Sequence, residues 1–302
     1  MGGHVALGAV QLFFGLFPVL GLAAMVRDEG FSPWALATWR IVTGAVALGL
    51  LAFIRHRREA RPSLADLAKL ALLAVLGISL NQGLFLSGLA RSTAINAGLL
   101  ICLIPVFTFL VAALFRLEAF SLRRGVGVAI ALLSALPLFL TRGADLAAEH
   151  ASGNLLMAAN GLCYAFYLVF SRPLTIKYPP LVVIAWVYVL SLPWLPLFIA
   201  RGPLGPALPS AEVWAAFAYV MVFPTVLAYL LNMIALSRLP ASTTAFYIFA
   251  QPFITAVAAW FILKERLQPE LIPAAVGLLV GLVLVVRPGP RGKAKQPQER
   301  LA

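Results

Sequence analysis

Two stretches of this chain match each other without a gap at a fixed offset of 147 residues: RSTAINAGLLICLIPVFTFLVAALFRLE, residues 91–118, and RLPASTTAFYIFAQPFITAVAAWFILKE, residues 238–265. The same offset relates further positions on the N-terminal side of both stretches. Shared Leu or Ala would mean little in so apolar a chain, but Trp, Pro, Arg and Glu are scarce here and keep their order and spacing. The pattern predicts an internal duplication. The seven matched pairs are Pro33/Pro180, Trp39/Trp186, Arg91/Arg238, Ala94/Ala241, Pro105/Pro252, Thr108/Thr255 and Glu118/Glu265.

The composition predicts an all-α protein that crosses the membrane many times. Hydrophobic residues make up 62% of the chain and charged residues only 11%, which excludes an ordinary soluble core. A helix needs about 20 apolar residues, at roughly 1.5 Å each, to cross the hydrocarbon. Ten segments come close to this length: residues 5–26, 34–54, 67–90, 93–115, 123–140, 153–171, 181–200, 212–235, 241–263 and 270–286.

The ten segments divide into two repeats of five transmembrane helices. Because five is odd, the second repeat must enter the membrane in the opposite orientation, and such inverted repeats are usual in secondary transporters. The sequence therefore predicts residues 1–140 as the first repeat, with helices one to five, and residues 141–287 as the second, inverted repeat, with helices six to ten. Residues 288–302, rich in Pro and basic residues, are predicted to form a disordered basic cytoplasmic tail.

The net charge of +12 is distributed unevenly over the predicted loops. Connections on one side of the membrane carry 16 Lys and Arg, whereas the other side carries six. The positive-inside rule makes the first side cytoplasmic and places both termini there. The basic excess thus indicates topology and not nucleic-acid binding. The six residues of the other side are Arg27, Arg91, Arg142, Arg201, Lys264 and Arg266.

The membrane interior lacks the residues that catalysis or metal binding would need. All 11 acidic residues fall in loops or at span ends, and so do His4, His56 and His150. No paired aspartates, Ser/His pair or metal-ligand set can be assembled, so we expect no enzyme, metal or cofactor. Cys102 and Cys163 lie in different spans and are predicted to be free thiols. Without a buried acid, direct proton coupling is disfavoured, which predicts facilitated diffusion.

Arg40 is the one ionisable side chain well inside a predicted span. It lies about 10 Å past the start of helix two. One interpretation is a carboxylate partner for an anionic or zwitterionic substrate. The other is a structural role, in which the side chain snorkels to the outer surface or binds carbonyls at a helix end.

Uncharged polar residues near the midplane share helical faces. In helix six, Asn160, Tyr164, Tyr167 and Ser171 follow the spacing i, i+4, i+7, i+11, which is one stripe of a helix. Helices eight and nine show similar stripes. The predicted substrate-binding residues are Gln11, Phe14, Ser79, Asn81, Gln82, Asn160, Tyr164, Tyr167, Thr225, Tyr229, Tyr247 and Gln251.

Two of these residues, Gln82 and Tyr229, are equivalent under the 147-residue offset. The duplication therefore places them near the pseudo-twofold axis, where inverted-repeat transporters hold their substrate. The alternative is that the polar residues only form hydrogen bonds between packed helices.

Pro105 and Pro252 are also an equivalent pair, in helices four and nine. A proline inside a helix removes one hydrogen bond and clashes with the carbonyl four residues earlier. Matched prolines are candidate bend points for rocking one repeat against the other. They are equally compatible with static kinks that serve packing alone.

The residues after Arg91, with the sequence STAINA, lead to Pro105, and Glu118 follows 13 residues later. The second repeat has ASTTA at residues 241–245, then Pro252 and Glu265. In these motifs and in its ten spans the chain resembles the EamA-type branch of the drug/metabolite transporter superfamily, most closely its YddG-type exporters of aromatic and other neutral amino acids. The resemblance covers nearly the whole chain to about residue 287. It implies a bacterial inner-membrane protein that exports small metabolites.

Departures from other branches of the superfamily narrow the substrate. Small multidrug members hold cations on a glutamate in helix one, where this chain has Gln11 and no acid. Members that carry organic phosphates need several basic residues in the cavity, and Arg40 is alone. A cavity of amides, hydroxyls and rings suits a neutral or zwitterionic solute with an apolar side chain.

The sequence thus predicts a secondary transporter that exports small neutral or zwitterionic metabolites by alternating access, with amino acids, including aromatic ones, as the favoured substrates. It is predicted to be a monomer or homodimer whose partners are a small-molecule substrate and membrane lipid. The alternative is a non-transporting membrane scaffold or a lipid-handling protein, for which the duplication would be purely architectural.

Overall fold

The fold is seen in a computed structural model that describes residues 2–22, 30–57, 61–89, 91–92, 94–119, 121–140, 148–206, 210–264 and 271–286. The predicted tail, Glu265 and residues 141–147 lie outside these ranges. Within them the regular elements are helices and no strand occurs, as the composition predicted. We number the helices in chain order as α1 Gly2–Leu16, α2 Pro33–Arg55, α3 Leu64–Leu89, α4 Asn96–Leu114, α5 Leu122–Leu140, α6 Ala151–Lys177, α7 Pro180–Ile199, α8 Ala211–Leu236, α9 Ala241–Ile262 and α10 Leu271–Val286.

Most of these helices have the length and composition of membrane spans. Seven, namely α2, α3, α4, α6, α7, α8 and α9, are long and apolar enough to cross a bilayer. Helices α1 and α10 are apolar but shorter, and α5 has 19 residues with Arg123 and Arg124 in its first turn. The chain is therefore an all-helical, multi-pass membrane protein.

Several helices are less regular than the sequence predicted, and their irregularities recur at the 147-residue offset. Helix α3 contains a widened turn, of the π-helical type, at Val75–Ser79, and α8 contains another at Met221–Leu227. Helix α4 is interrupted at residues 102–103. The matching part of α9 is wound more tightly, as a 3-10 helical turn, at Tyr247–Ala250. The spans predicted as continuous at 93–115 and 241–263 are thus interrupted near their middles.

The interruptions explain how Pro105 and Pro252 are accommodated. Each proline lies in the first turn of the helical piece that follows the interruption. The first turn needs no intrahelical N–H donor, so a proline is tolerated there. The chain thus begins a new helical piece at each proline, where the sequence suggested a bend inside a continuous helix.

Two pairs of equivalent helices, α5–α10 and α2–α7, pack against each other in opposite directions. In the α5–α10 pair, Gly127 lies against Gly281 and Val285, whereas Ser134, further along α5, lies against Gly277, earlier in α10. Glycines allow this close approach because they carry no side chain. The α2–α7 pair is also antiparallel, with Trp34 near Phe198 and Gly44 against Tyr188. Helix α1 packs on α8 and α9, and its equivalent α6 packs on α3 and α4.

Candidate substrate cavity

A cavity of about 250 Å³ lies between α1, α2, α3, α4, α6, α8 and α9. This volume is slightly below the roughly 300–1,000 Å³ typical of ligand pockets. Both repeats line it, and its walls combine amides and hydroxyls with aromatic and aliphatic side chains. The residues singled out from the sequence that line the cavity are Gln11, Phe14, Arg40, Asn81, Gln82, Asn160, Tyr164, Tyr229 and Gln251.

Four of the predicted binding residues lie outside this cavity. Tyr167 is fully buried in the core and its hydroxyl lies 3.9 Å from the sulfur of Met233. Thr225 is buried behind the cavity wall. Tyr247 pairs through its hydroxyl with His4 Nδ1 at 2.8 Å. Ser79 lines a separate hollow, and its buried Oγ has no hydrogen-bond partner among the described residues.

Amide groups in the cavity wall connect different helices. Gln251 Nε2 on α9 donates to Gln11 Oε1 on α1 at 2.7 Å. Asn160 Nδ2 on α6 donates to the carbonyl of Asn81 on α3 at 2.7 Å, and Asn81 Nδ2 donates back to the carbonyl of Asn160 at 3.3 Å. Asn81 and Asn160 therefore have a packing role as well as a place in the wall. Gln82 has no such cross-helix bond in the described part of the chain.

Arg40 gives the cavity its single charge among the described lining residues. Its Nε donates to Thr225 Oγ1 at 3.1 Å, and Thr225 in turn donates to the carbonyl of Val220 at 2.7 Å, within the widened turn of α8. The guanidinium carbon lies 5.9 Å from the ring centroid of Phe17. No described carboxylate lines the cavity or pairs with Arg40, so the site is positively charged. Such a site favours a ligand that carries a carboxylate.

Much of the apolar wall was not anticipated from the sequence. Lipid-facing and cavity-facing apolar residues look alike in a chain of this composition. The 147-residue offset nevertheless carried part of this information, because five of the eight lining residues of the second repeat have an equivalent in the first repeat that also lines the cavity. The equivalent lining pairs are Phe17/Tyr164, Gln82/Tyr229, Phe85/Asn232, Ile101/Ile248 and Ile104/Gln251.

The helix interruptions border the cavity. Ile101 and Ile104 flank the break in α4, and Ile248 and Gln251 occupy the equivalent positions in α9. All four line the cavity. A change at either break would therefore move the cavity wall directly.

One end of the helix bundle is joined by charged contacts; we call it the Asp66 end. The buried Asp66 carboxylate accepts hydrogen bonds from Lys177 Nζ at 2.6 Å and from Tyr178 OH at 2.8 Å, which link the start of α3 to the end of α6. Glu118 accepts a hydrogen bond from the backbone N–H of Ser242 at 3.1 Å, at the start of α9. None of these five residues lines the cavity.

The opposite end is aromatic; we call it the Trp34 end, after Trp34 in the first turn of α2. Phe31 stacks on Phe217 with centroids 4.5 Å apart and makes an edge contact with Trp214 at 5.5 Å. The cavity wall extends to this end through Phe31, Pro33 and Leu89. Residues at the Trp34 end thus form part of the cavity wall, whereas Asp66, Glu118 and their partners at the Asp66 end do not.

Comparisons with known proteins agree with this arrangement. The profile of the EamA-like transporter family matches residues 2–140 and again residues 151–287. A WAT1-related protein of Arabidopsis thaliana is 25% identical over 98% of this chain and 92% of its own length. An uncharacterized transporter of Bacillus subtilis, YdfC, is 27% identical over 85% of this chain and 81% of its own. A probable terminal-alkyne amino-acid exporter of Streptantibioticus cattleyicolor is 26% identical over 92% and 93%.

A solved crystal structure shares the fold with a TM-score of 0.79, covering 94% of this chain and 96% of its own at 17% identity. The similarity extends over both halves of the molecule. The two profile matches together cover most of the chain and agree with the internal duplication. The chain therefore belongs to the EamA-like transporter family and is a transporter, not an enzyme.

Proposed function

We propose that this protein exports neutral or zwitterionic amino acids, including aromatic ones, by alternating access through the candidate substrate cavity. The observation that carries the proposal is the cavity wall, which combines one cation, Arg40, with amides, hydroxyls and rings, and has no carboxylate among its described residues. A zwitterion would place its carboxylate near Arg40 and its ammonium near the oxygens of Gln82 and Tyr164. Its side chain would contact apolar groups such as Phe14.

The proposed architecture is ten membrane spans in two inverted repeats, residues 1–140 and 141–287. Antiparallel packing of the equivalent pairs α2–α7 and α5–α10 supports inversion, because a parallel duplication would leave equivalent helices pointing the same way. The loop charges support an orientation with both termini and the Asp66 end in the cytoplasm, and the family resemblance supports a location in a bacterial inner membrane. The Trp34 end then faces outward.

Alternating access needs a cavity that opens first at one end of the bundle and then at the other. The two ends differ in whether the cavity wall reaches them. The cavity reaches the Trp34 end, while the Asp66 end is held by Asp66 and Glu118. We propose that these contacts break when the cavity opens inward. The matched interruptions before Pro105 and Pro252 would absorb the accompanying movement.

The relative named as a probable terminal-alkyne amino-acid exporter supports this class of substrate. The test is uptake by proteoliposomes of a radiolabelled panel containing phenylalanine, leucine, alanine, glutamate, glucose 6-phosphate and tetraphenylphosphonium. We expect uptake of the neutral amino acids and none of the phosphate or the lipophilic cation. Uptake of no amino acid at all would contradict the proposal and favour a scaffold or lipid-handling role.

The absence of a carboxylate in the described cavity wall predicts facilitated diffusion. With no buried acid to exchange protons for substrate, an imposed pH gradient should not drive accumulation above the external concentration. Uptake with and without the gradient is compared at equal substrate concentrations on both sides. Accumulation that a protonophore abolishes would overturn this prediction while leaving the choice of substrate intact.

A further inference from the structure

A second hollow, of about 410 Å³, lies on the opposite face of α3 from the substrate cavity. Gln82 and Phe85 of α3 line the substrate cavity, whereas Leu80, Gly83 and Ser87 line the hollow. Its other walls come from α2, α6 and α7, near the Trp34 end. The rim residues are exposed at the side of the bundle, namely Leu80, Trp194 and Leu197. The hollow therefore faces the surrounding lipid.

The chemistry of the hollow changes along its length. Its walls are mainly aliphatic and aromatic, and Arg201 lies at the Trp34 end with its guanidinium carbon 5.3 Å from the ring centroid of Trp34. Arg201 is exposed and pairs with no carboxylate in the part of the chain that the structure describes. A second guanidinium is nearby, because Arg91 Nη1 donates to the carbonyl of Ser87 at 2.8 Å.

The arrangement of these groups matches an anionic phospholipid. Trp34 and Trp194 are of the type that gathers at the headgroup level of a bilayer. An Arg that has no carboxylate partner can pair with a phosphate through two parallel hydrogen bonds. An acyl chain would then lie along Leu80, Gly83 and Leu84, which offer no charge.

We propose that this hollow is a binding site for an anionic phospholipid, with the phosphate against Arg201 and one acyl chain along α3. Bound lipid would pack against the back of the helix whose other face carries Gln82 and Phe85. The site is separate from the substrate cavity, so occupancy of one does not require occupancy of the other.

Gly83 offers a sharp test because a side chain there has room to enter the hollow. A Cβ at Gly83 would meet no atom within 4 Å. The side chain in Gly83→Leu therefore enters the hollow from a Cβ that meets no neighbour, and the change replaces a helix-weakening residue by a good helix former. Gly8→Leu is the matched control, since Gly8 is exposed on α1 and its Cβ would also meet nothing within 4 Å.

Arg201→Gln removes the charge, and Arg57→Gln is its matched control. Arg57 is also exposed and also lies over a ring, 5.2 Å from the Phe53 centroid, but it lies at the Asp66 end, away from the hollow. Each substitution removes one positive charge. A loss of lipid binding in Arg201→Gln alone therefore indicates a defined site, whereas an equal loss in both variants indicates general attraction of anionic lipid.

The measurement is native mass spectrometry of the full chain, purified in detergent and mixed with equal amounts of phosphatidylglycerol and phosphatidylcholine. We expect the wild type to retain one phosphatidylglycerol, with about fivefold or greater preference over phosphatidylcholine. Arg201→Gln should abolish the preference and Gly83→Leu should abolish retention of both lipids. Arg57→Gln and Gly8→Leu should behave as wild type.

Equal retention of the two lipids by the wild type would overturn the proposal. So would wild-type retention by Gly83→Leu, or a loss in Arg57→Gln as large as that in Arg201→Gln. Monodisperse elution of every variant from a sizing column establishes that each is folded. If the same column shows that the wild type is a dimer and that Gly83→Leu is a monomer, the hollow binds a second copy of the chain and not a lipid.

Discussion

At equivalent cavity positions, the two repeats contribute different side chains on similar backbones. Their helices share widened turns at Val75–Ser79 and Met221–Leu227 and interruptions before Pro105 and Pro252. The side chains at the wall are less alike. The second repeat presents hydroxyls and amides where the first presents hydrocarbon, in the pairs Tyr164/Phe17, Asn232/Phe85 and Gln251/Ile104.

This difference separates two requirements on a transporter of the proposed kind. Opening at either end in turn needs two similar halves that move alike. Binding an amino acid needs an asymmetric site, because one part of the solute is charged and the other is apolar. The repeated backbone meets the first requirement, and the unlike side chains meet the second. Substitutions that replace a polar wall residue by an apolar one, in two cases by the residue at the equivalent position of the other repeat, test this division.

The largest effect is expected at Arg40, whose equivalent in the second repeat is the buried Val187. Arg40→Met should lower phenylalanine transport roughly 10- to 150-fold, because a hydrogen bond to a charged group contributes about 1.5–3 kcal/mol. Transport of phenethylamine, which lacks the carboxylate, should be slow in both proteins and should not fall further. The measurement is initial uptake of both compounds into proteoliposomes.

Arg40→Lys serves as the control because it keeps the charge but loses the two-pronged geometry, so an intermediate rate is expected. An equal proportional loss for phenylalanine and phenethylamine would show that Arg40 acts through its bond to Thr225 and not through the substrate.

A smaller effect is expected from Gln251→Ile, which copies Ile104 into the second repeat. The change leaves Gln11 without its partner at 2.7 Å, and an unpaired buried amide costs about 1–2 kcal/mol. We expect transport to fall roughly 5- to 30-fold. The initial rate of uptake of leucine and phenylalanine into proteoliposomes measures this fall.

The double variant Gln11→Leu/Gln251→Ile distinguishes binding from packing. Replacing both partners by apolar groups removes the unpaired amide and is nearly neutral for stability. If the amides bind substrate, the double variant stays as slow as Gln251→Ile. Recovery to the wild-type rate would mean that the pair only holds α1 against α9.

The smallest effect is expected from Tyr164→Phe, which copies Phe17. It removes only a hydroxyl that accepts a hydrogen bond from Asn232 Nδ2 at 3.2 Å. We expect transport to fall about 2- to 5-fold, since a typical hydrogen bond contributes roughly 0.5–1 kcal/mol. Tyr219→Phe is the control, because the Tyr219 hydroxyl also makes one bond, to the carbonyl of Phe13 at 2.9 Å, away from the cavity. An equal effect of the two changes would contradict a role for Tyr164 at the substrate.

The helical fold and the duplication could be predicted because they depend on hydropathy and on rare residues at a fixed offset. The interruption at residues 102–103 could not, since apolar residues continue through it. Tyr167 shows why helical spacing alone is insufficient for the site. It shares a predicted stripe with Tyr164, but its ring packs closely against Gly77 in the widened turn of α3. Tyr167 lies in the core because Gly77 has no side chain and leaves room for its ring, which helical spacing does not reveal.

Substrate protection of position 86 tests the central claim, that transported amino acids bind in the cavity between the repeats. Leu86 lines the cavity and is half-buried. In a chain with Cys102 and Cys163 replaced by Ala, Leu86→Cys is labelled with a membrane-impermeant thiol reagent added outside, and the labelling rate is followed with increasing phenylalanine. We predict that phenylalanine slows labelling severalfold at the concentrations that saturate transport, whereas glucose 6-phosphate does not. A labelling rate unchanged by saturating phenylalanine, in a variant that still transports it, would contradict the account.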